Sequence, residues 1–408
     1  MSTLCILISS ISAQVNHFDL LGDKNQIEIP IKYTSGFVII EVTINDTEPI
    51  NLLLDTGAEN LILFDFYKSL KMGLELDKEV KIKGSDIQGD AIAYVSRANN
   101  LALPETKQLK TDIIILKQNN FQLTNLIGIP IEGIIGGRTF WNLVLKIDYI
   151  KGVLSLTKKD KFVPPHYYDD KYQEIDIEIK NHKPYIYNSV HLSESEEVAT
   201  KTLIDSGAAI GYMMLLNTSE KLRLPEKYIN GNLGKGIGGD IKGYIGKVHA
   251  LNITDRHRFK QLVSYYQNLS DDIDSKIYNN RNAIIGNPVL SKFDVVIDYV
   301  DSKLYLKPNR RYKKKFRIDK SGLVIYAVGE NLDQFVIKDT YEGSPAEEIG
   351  LQPNDLIKRI GLRTAVFLNM DVISRIFQRK EGRKVKVIIE RKGKKIAKTL
   401  ILRDYLAF

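Results

Sequence analysis

Four short blocks of this chain recur in the same order at one spacing. The stretches "NLLLDTGAEN" (51–60) and "KTLIDSGAAI" (201–210) set Asp55 and Asp205 150 residues apart. The same offset carries "IQGD" (87–90) onto "IGGD" (237–240), "IIGG" (134–137) onto "IIGN" (284–287), and "KIDYIKGVLSL" (146–156) onto "VIDYVDSKLYL" (296–306). One offset kept through four ordered blocks implies two copies of one folding unit, and 408 residues are too many for one ordinary core. The first copy spans 31–158 and the second 184–308, joined by a connection at 159–183 that contains the Pro- and Tyr-rich "FVPPHYYDDKYQ". A basic linker (309–317, "NRRYKKKFR") leads to a third unit at 318–404 that has no partner in the repeat.

Within each copy the local signals are strand-like. "SGFVIIEVTIN" (35–45), "IKGSDIQGDAIAYVS" (82–96) and "DIIIL" (112–116) alternate or are β-branched, and turn residues bound them. "YIYNSVHL" (185–192), "TLID" (202–205) and "QLVSYYQ" (261–267) fill the equivalent places, and "LFDFYKSLKMGL" (63–74) reads as one short helix. The expected fold class is mainly β.

Composition narrows the chemistry. Net charge is +8 over 408 residues, with the basic runs at 309–317 and 391–395 reading as solvated segments. No basic face interleaved with aromatic residues points to nucleic acid. A single cysteine, Cys5, excludes an intrachain disulfide or Cys-based metal site, and the six histidines lack ligand spacing, so no metal or other cofactor is expected. No stretch reaches the ~20 apolar residues of a membrane helix. Residues 1–14, "MSTLCILISSISAQ", read as a remnant export signal without a basic start, which favours a periplasmic or envelope location.

The repeated acidic turn carries the function. An aspartate closing an apolar run is costly unless it is paired or used. Two such carboxylates meeting across a pseudo-twofold share a proton, so one serves as general base on a water and the other as general acid toward a carbonyl. Water is then the nucleophile, and no catalytic Cys, Ser–His pair or metal is required. The run Gly234-x-Gly236-x-x-Gly239 also fits a dinucleotide pattern, but no strand–helix context accompanies it.

These residues resemble an aspartic peptidase: Asp55-Thr56-Gly57 and Asp205-Ser206-Gly207, with Ile134-Ile135-Gly136 and Ile284-Ile285-Gly286 as the later hydrophobic-hydrophobic-Gly element. The resemblance implies two retropepsin-like β lobes related by a pseudo-twofold in one monomeric chain, with Asp55 and Asp205 as the dyad. Thr56 and Ser206 would lock the two loops through their hydroxyls, and Gly57 and Gly207 would permit the tight turns. Ala58 and Ala208 stand where pepsin-like enzymes carry a hydroxyl donor, so activity is expected nearer neutral pH than a pepsin's. Flap hairpins over the substrate would carry Ile87, Gly89, Asp90 and Tyr94 in one copy and Ile237, Gly238, Gly239 and Tyr244 in the other. Apolar residues near the turns (Leu61, Phe64, Tyr94, Ile210, Tyr212, Tyr244) are either subsites or core.

The third unit resembles a PDZ domain of the bacterial protease type. Ser344-Pro345-Ala346 opens a helix, Gly350-Leu351 ends it, Asn354-Asp355-Leu356-Ile357 leads a strand, and 385–402 forms a closing hairpin. The resemblance implies a β-sandwich with short helices that binds a protein C-terminus at Gly322, Leu323, Val324 and Ile325, with Val324 where the usual loop has glycine. The resulting expectation is an aspartic endopeptidase acting on peptide or protein substrates. The competing class is a catalytically silent peptide-binding scaffold of the same fold.

Overall fold

The computed structural model describes residues 18, 20–83, 90–236, 239–268 and 279–406. The chain is mainly β, in four sheets. An eight-stranded sheet runs in the order Lys32–Thr34, Phe37–Ile44, Ile50–Asp55, Gly133–Gly136, Leu61–Leu63, Leu109–Leu116, Asp90–Ala102, Lys78–Lys83. A second runs Glu178–Lys180, Lys183–His191, Glu197–Asp205, Ala283–Gly286, Tyr212–Leu215, Arg258–Gln267, Gly239–Asn252, Tyr228–Gly236. The two orders of connection are the same. Both sheets also curl onto themselves, through Phe37–Ile44 with Asp90–Ala102 and Lys183–His191 with Gly239–Asn252.

A six-stranded sheet joins these halves, in the order Gln26–Pro30, Val153–Lys158, Leu143–Asp148, Phe293–Asp298, Lys303–Pro308, Gln173–Asp176. Its central register pairs Lys146 with Val296, which stand 150 residues apart, so this antiparallel pairing relates the repeated blocks about their own midpoint. The outer strands of that sheet, Gln26–Pro30 and Gln173–Asp176, precede each copy and were not legible as strands. The main apolar cluster draws residues from both halves, including Leu54, Leu145, Ile147, Ile204, Val295 and Ile297.

Local chemistry explains the elements. Phe66–Lys71 is helical, with the Asp65 side chain accepting from Lys68 N at its start. Ile50–Asp55 is buried along almost its whole length because it runs parallel beside Gly133–Gly136 with core on both faces. The basic stretch after 308 is not a free linker. Lys292 Nζ donates to the carbonyls of Arg311, Tyr312 and Lys314, and Tyr312 and Phe316 pack on the main core. The glycines Gly234 and Gly236 lie in the strand Tyr228–Gly236, one arm of a hairpin, so the dinucleotide pattern has no helix to serve.

The C-terminal sheet runs Leu323–Val328, Gln334–Thr340, Leu356–Ile360, Lys384–Arg391, Lys394–Ile401, with Arg363–Thr364 beside Leu356–Ile360. Ser344 caps the short helix Pro345–Glu348, and Gly350 leaves it at φ +72°. Asp355, 1% exposed, is held by Arg391 through Nε–Oδ1 at 2.6 Å and Nη2–Oδ2 at 2.7 Å. Removing Arg391, itself partly exposed, leaves the buried Asp355 carboxylate with the Gln352 N–H, at about 1–3 kcal/mol. Arg391→Ala is therefore expected to lower the denaturation midpoint of the C-terminal unit. A urea melt that leaves the midpoint unchanged would show the pair to be dispensable. No helix among the described residues is long and apolar enough to cross a membrane.

Candidate active site

Each repeated aspartate ends a strand and faces the other. Asp55 closes Ile50–Asp55, opposite Gly136 of the parallel strand, and Asp205 closes Glu197–Asp205, opposite Gly286. Leu61–Leu63 and Tyr212–Leu215 return antiparallel to Gly133–Gly136 and Ala283–Gly286, so each acidic turn is wrapped between two strands. The glycines of the two "IIG" strands let this wrapping close. A Cβ at Gly136 would lie 2.6 Å from the Glu59 carbonyl oxygen, and one at Gly286 2.5 Å from that of Ala208.

Asp55 and Asp205 are both fully buried. In each, Oδ1 accepts the backbone N–H two residues on, Gly57 N and Gly207 N, at 2.8 Å. The glycines themselves do not take left-handed backbone; their need is space. A Cβ on Gly57 would sit 2.6 Å from Cγ of Asp205, and one on Gly207 would enter the Asp55 carboxyl. Each glycine is thus the floor on which the opposite carboxyl rests, a different role from the tight turn expected of them.

The loops interlock. Thr56 Oγ1 donates to Ile204 O at 2.7 Å and accepts Ser206 N–H at 2.9 Å. Reciprocally, Ser206 Oγ donates to Leu54 O at 2.7 Å and accepts Thr56 N–H at 3.1 Å. Ala58 and Ala208 are fully buried and bring no hydroxyl to either carboxyl. Both Oδ2 atoms are buried, and the two carboxyls share a hydrogen bond with each other.

Burial first, and the neighbouring Asp205 carboxyl second, hold Asp55 well above the usual carboxylate range. Burial pushes Asp205 up to about 6, against the Gly207 N–H and the positive charges of Arg281 and Lys183. Both carboxyls are thus biased toward keeping a proton, and they titrate as one coupled pair.

Sequence reasoning missed several neighbours. Asn287 stands where the first copy has Gly137, and its Nδ2 donates to Gly36 O at 2.9 Å and to Ser206 O. Its Oδ1 accepts from Tyr149 at 2.7 Å, whereas the equivalent Tyr299 hydroxyl has no hydrogen-bond partner among the described residues and the His182 carbonyl crowds Gly137 instead. Lys183, 3% exposed, and Arg281, 2% exposed, supply buried positive charge from the second half alone. The Gly/Asn difference at 137 and 287 was visible in the repeat; nothing local gives it meaning.

Other expected residues separate. Leu61, Phe64, Ile210 and Tyr212 are core residues. Tyr94 and Tyr244 are half-buried on the hairpin strands Asp90–Ala102 and Gly239–Asn252, Tyr94 against Phe66 with ring centroids 5.4 Å apart. Asp90 and Gly239 begin those strands, while Ile87, Gly89, Ile237 and Gly238 lie outside the described residues. Gly322, Leu323, Val324 and Ile325 enter the first strand of the C-terminal sheet, but Gly322 N–H already serves Asp319 Oδ1 and Leu323 N–H serves Ser321 Oγ.

Comparison with known proteins matches both parts of this architecture. Residues 40–138 match the aspartyl protease family model, and residues 336–391 match the PDZ domain model. Among curated proteins, the chain is similar to a probable CtpA-like serine protease of Staphylococcus haemolyticus (strain JCSC1435), 25% identical over 153 residues. That similarity covers 36% of this chain and 29% of the relative, so the chain spans less than a third of that protein's length. The chain carries an aspartyl protease domain followed by a C-terminal PDZ domain.

Proposed function

We propose that this chain is an aspartic endopeptidase in which Asp55 and Asp205, contributed by two duplicated retropepsin-like lobes, activate one water against a peptide bond. The observation that carries the reading is the reciprocal Thr56–Ser206 interlock, which holds two buried carboxyls within hydrogen-bonding reach of each other. A peptide-binding scaffold would gain nothing from burying two like charges together, since one of them must stay protonated at a cost.

The roles divide by environment. Asp205, held at about 6 and flanked by the positive charges of Arg281 and Lys183, is the base that takes a proton from water. Asp55, whose pKa burial first and the Asp205 carboxyl second raise, keeps its proton and donates it to the carbonyl oxygen. The neutral gem-diol then collapses as Asp205 gives its proton to the leaving amine nitrogen, the C–N bond breaks, and Asp55 takes back a proton from the gem-diol hydroxyl. The hairpins Lys78–Lys83/Asp90–Ala102 and Tyr228–Gly236/Gly239–Asn252 are the arms that would cover an extended substrate. Because both carboxyls come from one chain, a monomer suffices. Residues 1–14 would direct export, which secretion of a tagged chain tests.

A pH–rate profile tests the mechanism. The rate is expected to rise as Asp205 ionises near pH 6 and to fall where Asp55 loses its proton, giving activity at neutral pH. Activity confined below about pH 4 would contradict the pKa directions. Cleavage blocked by a fluorophosphonate but indifferent to the Asp substitutions would transfer the chemistry to a serine. Binding of peptides without cleavage at any pH would leave the scaffold reading.

A further inference from the structure

The edge of the C-terminal sheet that a PDZ ligand would use is already occupied. Leu323–Val328 is a terminal strand of that sheet, paired on one side by Gln334–Thr340. Against its other side lies the helix Leu123–Ile127 of the protease domain, where Asn125 Nδ2 donates to Ala327 O at 2.8 Å. Gly128 ends that helix at φ +77°, and a Cβ there would stand 3.5 Å from Cβ of Ala327 and 2.8 Å from Cγ of Met370. Met370 opens the helix Met370–Phe377, whose Asp371 accepts from Thr34 Oγ1 at 2.8 Å. The protease domain therefore touches both walls of the groove, strand and helix.

The other side of the C-terminal unit grips the second lobe. Tyr341 donates to Asn232 O at 3.2 Å, and Lys247 pairs with Asp404 at 3.1 Å. Tyr341, Tyr405 and Leu406 share an apolar cluster with Leu233, Ile241 and Ile245 of the Tyr228–Gly236/Gly239–Asn252 hairpin. Leu123 and Ile127 of the first lobe are buried in the same cluster as Ala58 and the second lobe's Ala209, residues of the two acidic turns. From Gly128 the chain then leads directly into Gly133–Gly136, which pairs with Ile50–Asp55 at its catalytic end.

We propose that residues 122–129 are an internal occupant of the PDZ groove, and that a peptide adding as a strand to Leu323–Val328 must displace them and so release the first lobe from the C-terminal unit. Strand addition needs the backbone groups of that edge, and the Ala327 carbonyl cannot serve a ligand while the helix covers it. Docked, the C-terminal unit ties Thr34 and 122–129 to the hairpin of the second lobe, restraining the two sides between which a substrate passes. Peptide capture thus raises turnover. The turnover clause rests on the endopeptidase reading; the docking does not.

The test is a reversible lock. Gly128→Cys with Met370→Cys, in a Cys5→Ser background, starts from a built Cβ–Cβ separation of 3.6 Å, inside the disulfide range of about 3.5–4.5 Å. Because a cysteine at position 128 must hold the strained φ of +77°, binding is read only on protein whose two thiols are shown to be lost on oxidation. The probe is a fluorescein-labelled octapeptide pool with free C-terminal Leu, Val or Phe, read by anisotropy in an Asp55→Asn background so that nothing is cut. The oxidised protein is expected to ignore the pool, with binding at least tenfold tighter after reduction. Asn125→Ala, which needs no engineered bond, is expected to bind more tightly than the parent. Equal binding by oxidised and reduced forms, or none by the reduced form and Asn125→Ala alike, overturns the proposal. With Asp55 restored, the unlabelled pool should stimulate cleavage of a separate protein substrate only in the reduced form, and stimulation in both forms overturns the coupling. If no variant cleaves anything, the endopeptidase reading fails while the anisotropy arm still decides the docking.

Discussion

Asp55→Asn and Asp205→Asn, made separately, are each expected to reduce peptide cleavage by at least about 10³-fold, because each removes one half of an acid–base pair worth ~10²–10⁴ per group and leaves water unactivated. The same substitutions are expected to stabilise the fold at neutral pH. Burial raises Asp205 from its ordinary 3.8 to about 6, so the folded chain holds a proton that the unfolded chain releases. Stability therefore falls as pH rises between those two values, and at pH 7 the loss amounts to about 3 kcal/mol. Asn carries no such penalty. Asp205→Asn should melt several degrees above the parent at pH 7, with the difference closing toward pH 4, and Asp55→Asn should move in the same direction. An inactive variant that is also less stable at pH 7 would mean the carboxylate is structurally paired and the burial argument is wrong.

The second large effect concerns the interlock. Thr56→Val keeps the shape of the side chain but leaves the Ile204 carbonyl and the Ser206 N–H buried without partners. Each unsatisfied group costs about 1–3 kcal/mol, so the variant should lose about 2–6 kcal/mol of stability. Ser206→Ala strands the Leu54 carbonyl and the Thr56 N–H in the same way. Activity should fall further than stability implies, since a displacement of ~1 Å at a reacting group is worth roughly 10²-fold in rate. A double-mutant cycle decides whether the halves act together. Non-additivity of about 0.5–3 kcal/mol is expected for one network, whereas additive losses would show two loops that merely lie close.

Much of this was legible because the informative signals were local or repeated. The strands carrying Asp55 and Asp205 announce themselves by apolar runs, and the "IIG" segments that flank them by small residues. The helix Phe66–Lys71 has a capping Asp65, and Pro345–Glu348 has Ser344 before Pro345. What was hidden depends on contacts between distant parts. Gly57 and Gly207 read as turn residues, but the reason for glycine is the carboxyl of the other half, which no local pattern encodes. Asn287, Lys183 and Arg281 become neighbours of the acidic turns only once both halves close. The basic stretch 309–317 reads as solvated because its restraint comes from one buried lysine, Lys292, reaching its carbonyls. Asn125 is one amide in a polar run until it meets Ala327, 202 residues away.

Complementation decides whether one chain holds a complete dyad. Asp55→Asn and Asp205→Asn proteins would be purified separately, mixed in equal amounts, refolded together, and assayed on a peptide pool across pH 3–8 beside the parent at several dilutions. The parent's rate per molecule is expected to be independent of concentration, and the mixture is expected to stay as inactive as either variant alone. Recovery of activity in the mixture would show that the carboxyls pair between two chains and would contradict the single-chain site.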